Sequence, residues 1–151
     1  MKTFKTFILV IPLLILLPDL NIAQDIKIHE LIGKKKSELV KKYGNPVHQD
    51  NSNPNIICMF FKSKSASIIF VSDKDGVFQA EATASYDSES SARKQIDNFI
   101  SSSMEKEYSV DTVTTSDFRL HKHGVKVELQ IAENKLSKQY DIKVKANRTE
   151  E

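Results

Sequence analysis

The sequence predicts an α+β domain of two helix-plus-three-strand antiparallel units, with the helices packed on one face of an antiparallel sheet. Three observations predict it. Two segments carry apolar residues at three- and four-residue steps. Between and after them lie β-rich runs, several of them alternating apolar with polar residues. Their order, helix then strands and helix then strands, lacks the strand–helix–strand alternation of a parallel nucleotide-binding sheet.

In chain order, Lys2 and Lys5 precede an apolar run from Ile8 to Leu17, ended by Pro18 and Asp19 and followed by the small residue Ala23. A basic end, a short apolar segment and a small residue are the parts of a secretory signal. The run is far shorter than the roughly 20 residues of a spanning helix. Residues 1–23 are therefore expected to be removed, with cleavage after Ala23 or Gln24. No cysteine stands there to carry a lipid, so the product is expected to be soluble, unanchored, and periplasmic or secreted.

The rest, 24–146, reads as a single domain with halves 30–86 and 87–146. Residues 25–32 form a lead-in, either a strand or one helical turn. Leu39, Val40 and Tyr43 give positions 34–43 a helical stripe, which Gly44 and Pro46 terminate. Residues 45–55, with two prolines and four asparagines, read as a loop. Residues 56–86 read as a three-stranded meander: Ile56 to Lys62, Ala66 to Ser72, and Val77 to Tyr86 with Phe78, Ala80, Ala82 and Ala84 on one face. Asp73-Lys74-Asp75-Gly76 is its second turn. Asp87 or Ser88 caps a second helix, whose apolar face is Ala92, Ile96, Phe99, Ile100 and Met104. The remainder alternates as strands through Tyr108 to Thr112, Phe118 to Leu120, Val125 to Ile131 and Tyr140 to Val144. Residues 147–151 are expected to fray.

Composition excludes several functions. The 151-residue chain has a formal net charge of +2, too little to steer it onto nucleic acid. Cys58, the only cysteine, has no disulfide partner within the chain and sits among apolar residues, the setting of a buried, inert thiol. His121 and His123 share a strand face, but a two-residue His123-Gly124 turn pairs Lys122 with Val125, His121 with Lys126, Leu120 with Val127, Arg119 with Glu128 and Phe118 with Leu129. That register sets a lysine beside the supposed metal ligand. His29 and His48 lie in weakly structured segments. Asp73, Asp75 and Gly76 resemble the start of a calcium loop, yet its twelfth position is Ala84 in place of glutamate. No serine stands in a nucleophile elbow, and Ser101, Ser102 and Ser103 are expected to face solvent. Asn147-Arg148-Thr149 matches a glycosylation sequon. No catalytic residue, cofactor or metal ion is expected.

The one cluster singled out is Lys34, Lys35, Lys36, Lys41 and Lys42. Three lysines in a first helical turn oppose the positive end of the helix, and such a mismatch can mark a working surface. A protein partner, or an anionic envelope surface, would be stabilised there.

The stretch from Leu31 to Pro46 resembles the helix of SmpA/OmlA-type outer-membrane assembly lipoproteins and related small bacterial envelope domains, through Gly33, Leu39, Val40, Gly44 and Pro46. The β-lactamase-inhibitor proteins are similar in shape. The resemblance implies a non-catalytic module that binds or assembles another envelope or secreted protein. The alternatives are a carrier of a small apolar ligand, held between the second helix and the sheet by Phe70, Phe78, Phe99 and Met104, and an enzyme of unrecognised type.

Overall fold

The computed structural model describes residues 25–150. The expected leader and its cleavage site lie outside the described residues. The lead-in takes the helical alternative, a 3-10 turn over Ile28–Leu31. Helix α1 covers Lys36–Tyr43. It starts two residues later than the periodicity suggests, because Lys35 is still extended; its backbone N–H donates to Glu38 Oε2 at 3.0 Å. Then follow β1 (His48–Asp50), β2 (Ile57–Lys62), β3 (Ala66–Asp73) and β4 (Gly76–Tyr86), helix α2 (Glu89–Met104), and β5 (Ser109–Thr112), β6 (Asp117–Lys122), β7 (Val125–Asn134) and β8 (Gln139–Arg148).

The strands do not form two three-stranded units. They form one eight-stranded sheet in the order β1-β2-β3-β4-β8-β7-β6-β5, with every pair antiparallel. Each half donates four strands, and the two halves join where β4 pairs with β8. The fourth strand of the first half is β1, inside the segment read as a loop. The chain's end also departs from expectation. Asn147 and Arg148 are paired on both sides or at the β7 edge, Asn147 with Gln79 and Lys126, Arg148 with Val125.

The two helices do share one face. Leu39 and Tyr43 of α1, and Ala92, Ile96, Phe99 and Ser103 of α2, are buried. The Tyr43 ring lies 5.5 Å from Phe61 and 5.7 Å from Phe70. Beneath α2 the sheet is paved with small and branched residues, Ala80 opposite Ala146, Ala82 opposite Val144 and Ala84 opposite Ile142. A bulge between Val71 and Ser72 shifts the β3–β4 register. It puts Val77 in the core and leaves Phe78 half-buried, off the alanine row it was expected to join.

Gly76 is needed twice over. Its φ is +119°, and a Cβ there would stand 2.5 Å from the Gly33 carbonyl oxygen. The lead-in runs that close because it is bonded to β4, Gly33 N–H to the Val77 carbonyl at 2.7 Å and Val77 N–H to the Lys34 carbonyl at 3.0 Å. Arg148, at the end of β8, pairs with Asp73 of the same turn. Its guanidinium holds the Asp73 carboxyl below the usual carboxylate range.

Candidate functional site

Both helices lie on one side, so alternate residues of every strand point to the other. In β6, β7 and β8 this produces the pattern of a wetted face, with buried Leu120, Val127, Leu129, Ile142 and Val144 separated by exposed Arg119, Lys126, Glu128, Lys143 and Lys145. One cross-strand row runs Glu81, Lys145, Glu128, Arg119, Asp111, alternating in charge across four neighbouring pairs. Lys145 Nζ lies 3.1 Å from Glu81 Oε1. Opposite charges directly across strands stabilise a sheet by a few tenths of a kcal/mol each.

The same face of β2 and β3 is different. Met59, Phe61, Ile68 and Phe70 fill the core, while Cys58 pairs with Val71, and Phe60 with Ile69, on the helix-free side. These four are half-buried. The His48 ring of β1 extends the patch, 5.4 Å from the Phe60 ring. Beside it, a trough of about 480 Å³ lies among Thr83, Arg119, Glu128, Lys143 and Lys145. Cys58 is thus on this open face and half-buried, not sealed in the core.

The signal for this face was in the sequence. An antiparallel sheet covered on one side should alternate, whereas strands apolar on both sides read as continuous runs. Residues 57–61 and 68–71 are such runs.

Three of the five lysines of the first-helix edge have local partners. Lys34 lies outside the helix and pairs with Glu38 at 3.5 Å. Lys35 Nζ donates to the Lys74 carbonyl at 2.7 Å. Lys42 meets Asp25 at 2.7 Å. Only Lys36 stands in the first helical turn, and it and Lys41 project into solvent. Burial works to raise the Asp25 carboxyl, but the Lys42 ammonium and the Lys27 amide outweigh it and hold that carboxyl below its ordinary value. Tyr43, buried beside Asp25, is pushed up.

The histidine hairpin forms in the expected register, Lys122 opposite Val125 through Phe118 opposite Leu129. His121 faces Lys126 and Ser109, with Asp111 at 3.9 Å. Among the described residues no group of three or more His, Cys, Asp and Glu side chains is placed to hold a metal ion. Asp73 and Asp75 belong to the β3–β4 turn, where Asp75 N–H donates to Asp73 Oδ1 at 2.8 Å. The four residues proposed for a ligand cavity do not share one. Phe70 and Phe99 are core, Phe78 lies under Arg148, and Met104 is 59% exposed.

A groove of about 730 Å³ opens at the end of the sheet, between the β2–β3 turn and the start of α2. Lys62, Lys64 and Lys94 rim it, and all three are exposed. Asp87, also on its wall, is held by Gln139 Nε2 at 2.9 Å. Tyr86 lines it too. The Tyr86 hydroxyl is sealed from solvent without a hydrogen-bond partner, and burial pushes it up to about 12.

Two polar residues read as peripheral are internal. Ser103 is fully buried and takes the place on the α2 apolar face expected for Met104. His29 is 1% exposed. Its ring packs 4.6 Å from Phe99 and edge-on to Tyr108 at 5.1 Å. The spacing Ala92, Ile96, Phe99, Ser103 fits the helical period, but a serine does not register as apolar.

No protein-family profile matches the chain, and no curated protein matches it. Among solved structures, a cysteine-rich secretory protein from Staphylococcus aureus subsp. aureus Mu50 is similar over 80% of this chain and 45% of its own, at 11% identity and a TM-score of 0.46. The chain spans less than half the length of that protein. No helix among the described residues is long and apolar enough to cross a membrane.

Proposed function

We propose that the chain is a non-catalytic exported module, periplasmic or secreted, that binds another protein through the helix-free face of β2 and β3. The observation that carries this reading is the two-sided apolar character of those strands. Cys58, Phe60, Ile69 and Val71 stand on the side with no helix, whereas β6–β8 turn charges to that side. A contiguous apolar patch rimmed by charge is the surface of a protein interface. The neighbouring row from Glu81 to Asp111 supplies that rim, and its polar groups fix register more than affinity.

The partner chemistry that fits is an apolar protein surface with a few charged groups at its edge. The test is a photo-crosslinking residue placed at Ile69, and in a separate variant at the solvent-facing Asp97 of α2, in the exporting cell. A discrete adduct with one protein at Ile69 and none at Asp97 is expected. Ile69→Glu should weaken that association at least about tenfold, since a charge would be buried against apolar groups. Equal labelling at both positions would sink the reading. A loss caused by Lys36→Glu with Lys41→Glu, and not by Ile69→Glu, would move the interface to the first-helix edge.

A further inference from the structure

The buried contact between the lead-in and the end of α2 carries an inference independent of that reading. His29 sits in the 3-10 turn, and Ser103 reaches it from the last turn of α2, with Oγ 3.2 Å from Nε2. The Ser103 hydroxyl donates to the Phe99 carbonyl at 2.8 Å, so at this contact it accepts. That fixes the neutral ring as the Nε2–H tautomer and leaves Nδ1 as an acceptor. Nδ1 is sealed from solvent with no partner.

A second proton on that ring must go to Nδ1. There it finds no acceptor, and the imidazolium lies between the Phe99 and Tyr108 rings. The strands packed on this turn, β4 and β8, turn the apolar residues Val77, Ala80, Val144 and Ala146 into the same core. The titratable and charged groups that face it are few. Asp25, Lys27 and Glu30 come from its own segment, Lys106 from the turn after α2, and Tyr108 from the residue before β5. Glu30 is the acid among them that most favours a proton, and it is already paired with Lys106 at 2.7 Å.

We propose that His29 is an acid-weakened latch: its protonation loosens the docking of the lead-in and the adjoining Gly33–Lys34 against α2 while the sheet stays folded, so that an open form with Phe99 and Tyr108 uncovered grows as the pH falls. The segment is held by the buried side chains of Ile26, Ile28 and Leu31, by the polar contacts of His29 with Ser103, Glu30 with Lys106, and Asp25 with Lys42 and Tyr43, and by the two backbone bonds between Gly33–Lys34 and Val77. Neither α1 nor any strand supplies a hydrogen bond to the imidazole.

The sign follows from linkage. Desolvation lowers the docked His29 to about 4 from the ordinary 6.5, so the released segment binds the proton more tightly than the docked one. Docking is unaffected above pH 6.5 and weakens as the pH falls toward 4. Between pH 7.5 and pH 5 the docking equilibrium should fall about 30-fold.

Amide exchange on the full chain reads this directly, with Gly33 and Val77 as reporters and Leu129 and Val144 as controls, corrected for intrinsic rates. Reporter protection should drop about 30-fold over that range, with the controls unchanged. The His29→Phe chain, whose ring cannot take a proton, should hold its reporters constant. Loss of control protection together with the reporters, or an unchanged pH response in His29→Phe, overturns the latch. Should His29→Phe fail to fold, the imidazole signal of the natural chain decides. A midpoint well below 6.5 that tracks the reporters supports the latch, and a midpoint near 6.5 overturns it.

Discussion

Single residues carry two opposite kinds of cost in this fold. Gly76 avoids one. Replacing it with alanine places a methyl group 2.5 Å from the Gly33 carbonyl oxygen at a φ of +119°, so either the lead-in or the turn must move. Gly76→Ala should lose about 2 kcal/mol or more, read as a lower urea midpoint. A loss below about 0.5 kcal/mol, the range of an ordinary surface change, contradicts the close approach. Tyr86 pays the other, a buried hydroxyl with no partner. Tyr86→Phe removes it and should be neutral or stabilising by about 1 kcal/mol; a fall of more than about 1 kcal/mol would mean the hydroxyl has a partner after all. The glycine's positive φ was readable from the Asp-Lys-Asp-Gly turn, but its second constraint was not. That constraint comes from Gly33, forty-three positions away in sequence, and local pattern holds no record of it. His29 and Ser103 were missed for the same reason, since each is a polar residue whose burial is decided by a distant partner.

At the level of elements, the ones with strong periodicity were legible. Helix α2 appeared from its three- and four-residue spacing and its cap. Ser88 is extended, and its Oγ accepts from the Ser91 N–H at 3.2 Å, satisfying one of the orphan donors of the first turn. Ser88→Ala should therefore cost about 1 kcal/mol with no change in the denaturant slope. A midpoint equal to that of the natural chain would show that the cap adds nothing here. The β6–β7 register was legible because a two-residue turn and Arg119 opposite Glu128 leave little freedom. Strand β1 was not legible. It has three residues, His48, Gln49 and Asp50, between two asparagine- and proline-rich stretches, and a polar edge strand that short shows no alternation. The bulge that turns Phe78 away also escaped, because one extra residue inverts the face of everything before it.

At the scale of the whole molecule, the sequence pattern showed that helices cover one side of an antiparallel sheet, but not where its halves meet. The β4–β8 seam pairs Gln79 with Asn147 through Tyr86 with Tyr140, and each partner lies more than fifty residues from the other. Two helix-plus-strand units, each pairing its strands within itself, satisfied the local patterns equally well. The difference is thermodynamic. In one sheet, β4 and β8 are central strands whose core faces, Ala80, Ala82, Ala84, Ile142, Val144 and Ala146, are sealed jointly under α2. Splitting the chain between Tyr86 and Asp87 would turn both into unpaired edges carrying exposed apolar rows, which small sheets do not tolerate. Fragments 25–86 and 87–150 should each lack a cooperative thermal transition alone, and regain strand signal and a single transition when mixed at equal concentration, measured by far-ultraviolet circular dichroism. The intact chain should unfold in one step by every probe, as a domain with a common core does. Either fragment melting cooperatively by itself would mean that its four strands and helix form a sufficient core. The shared seam would then be a contact between two folded bodies rather than the centre of one.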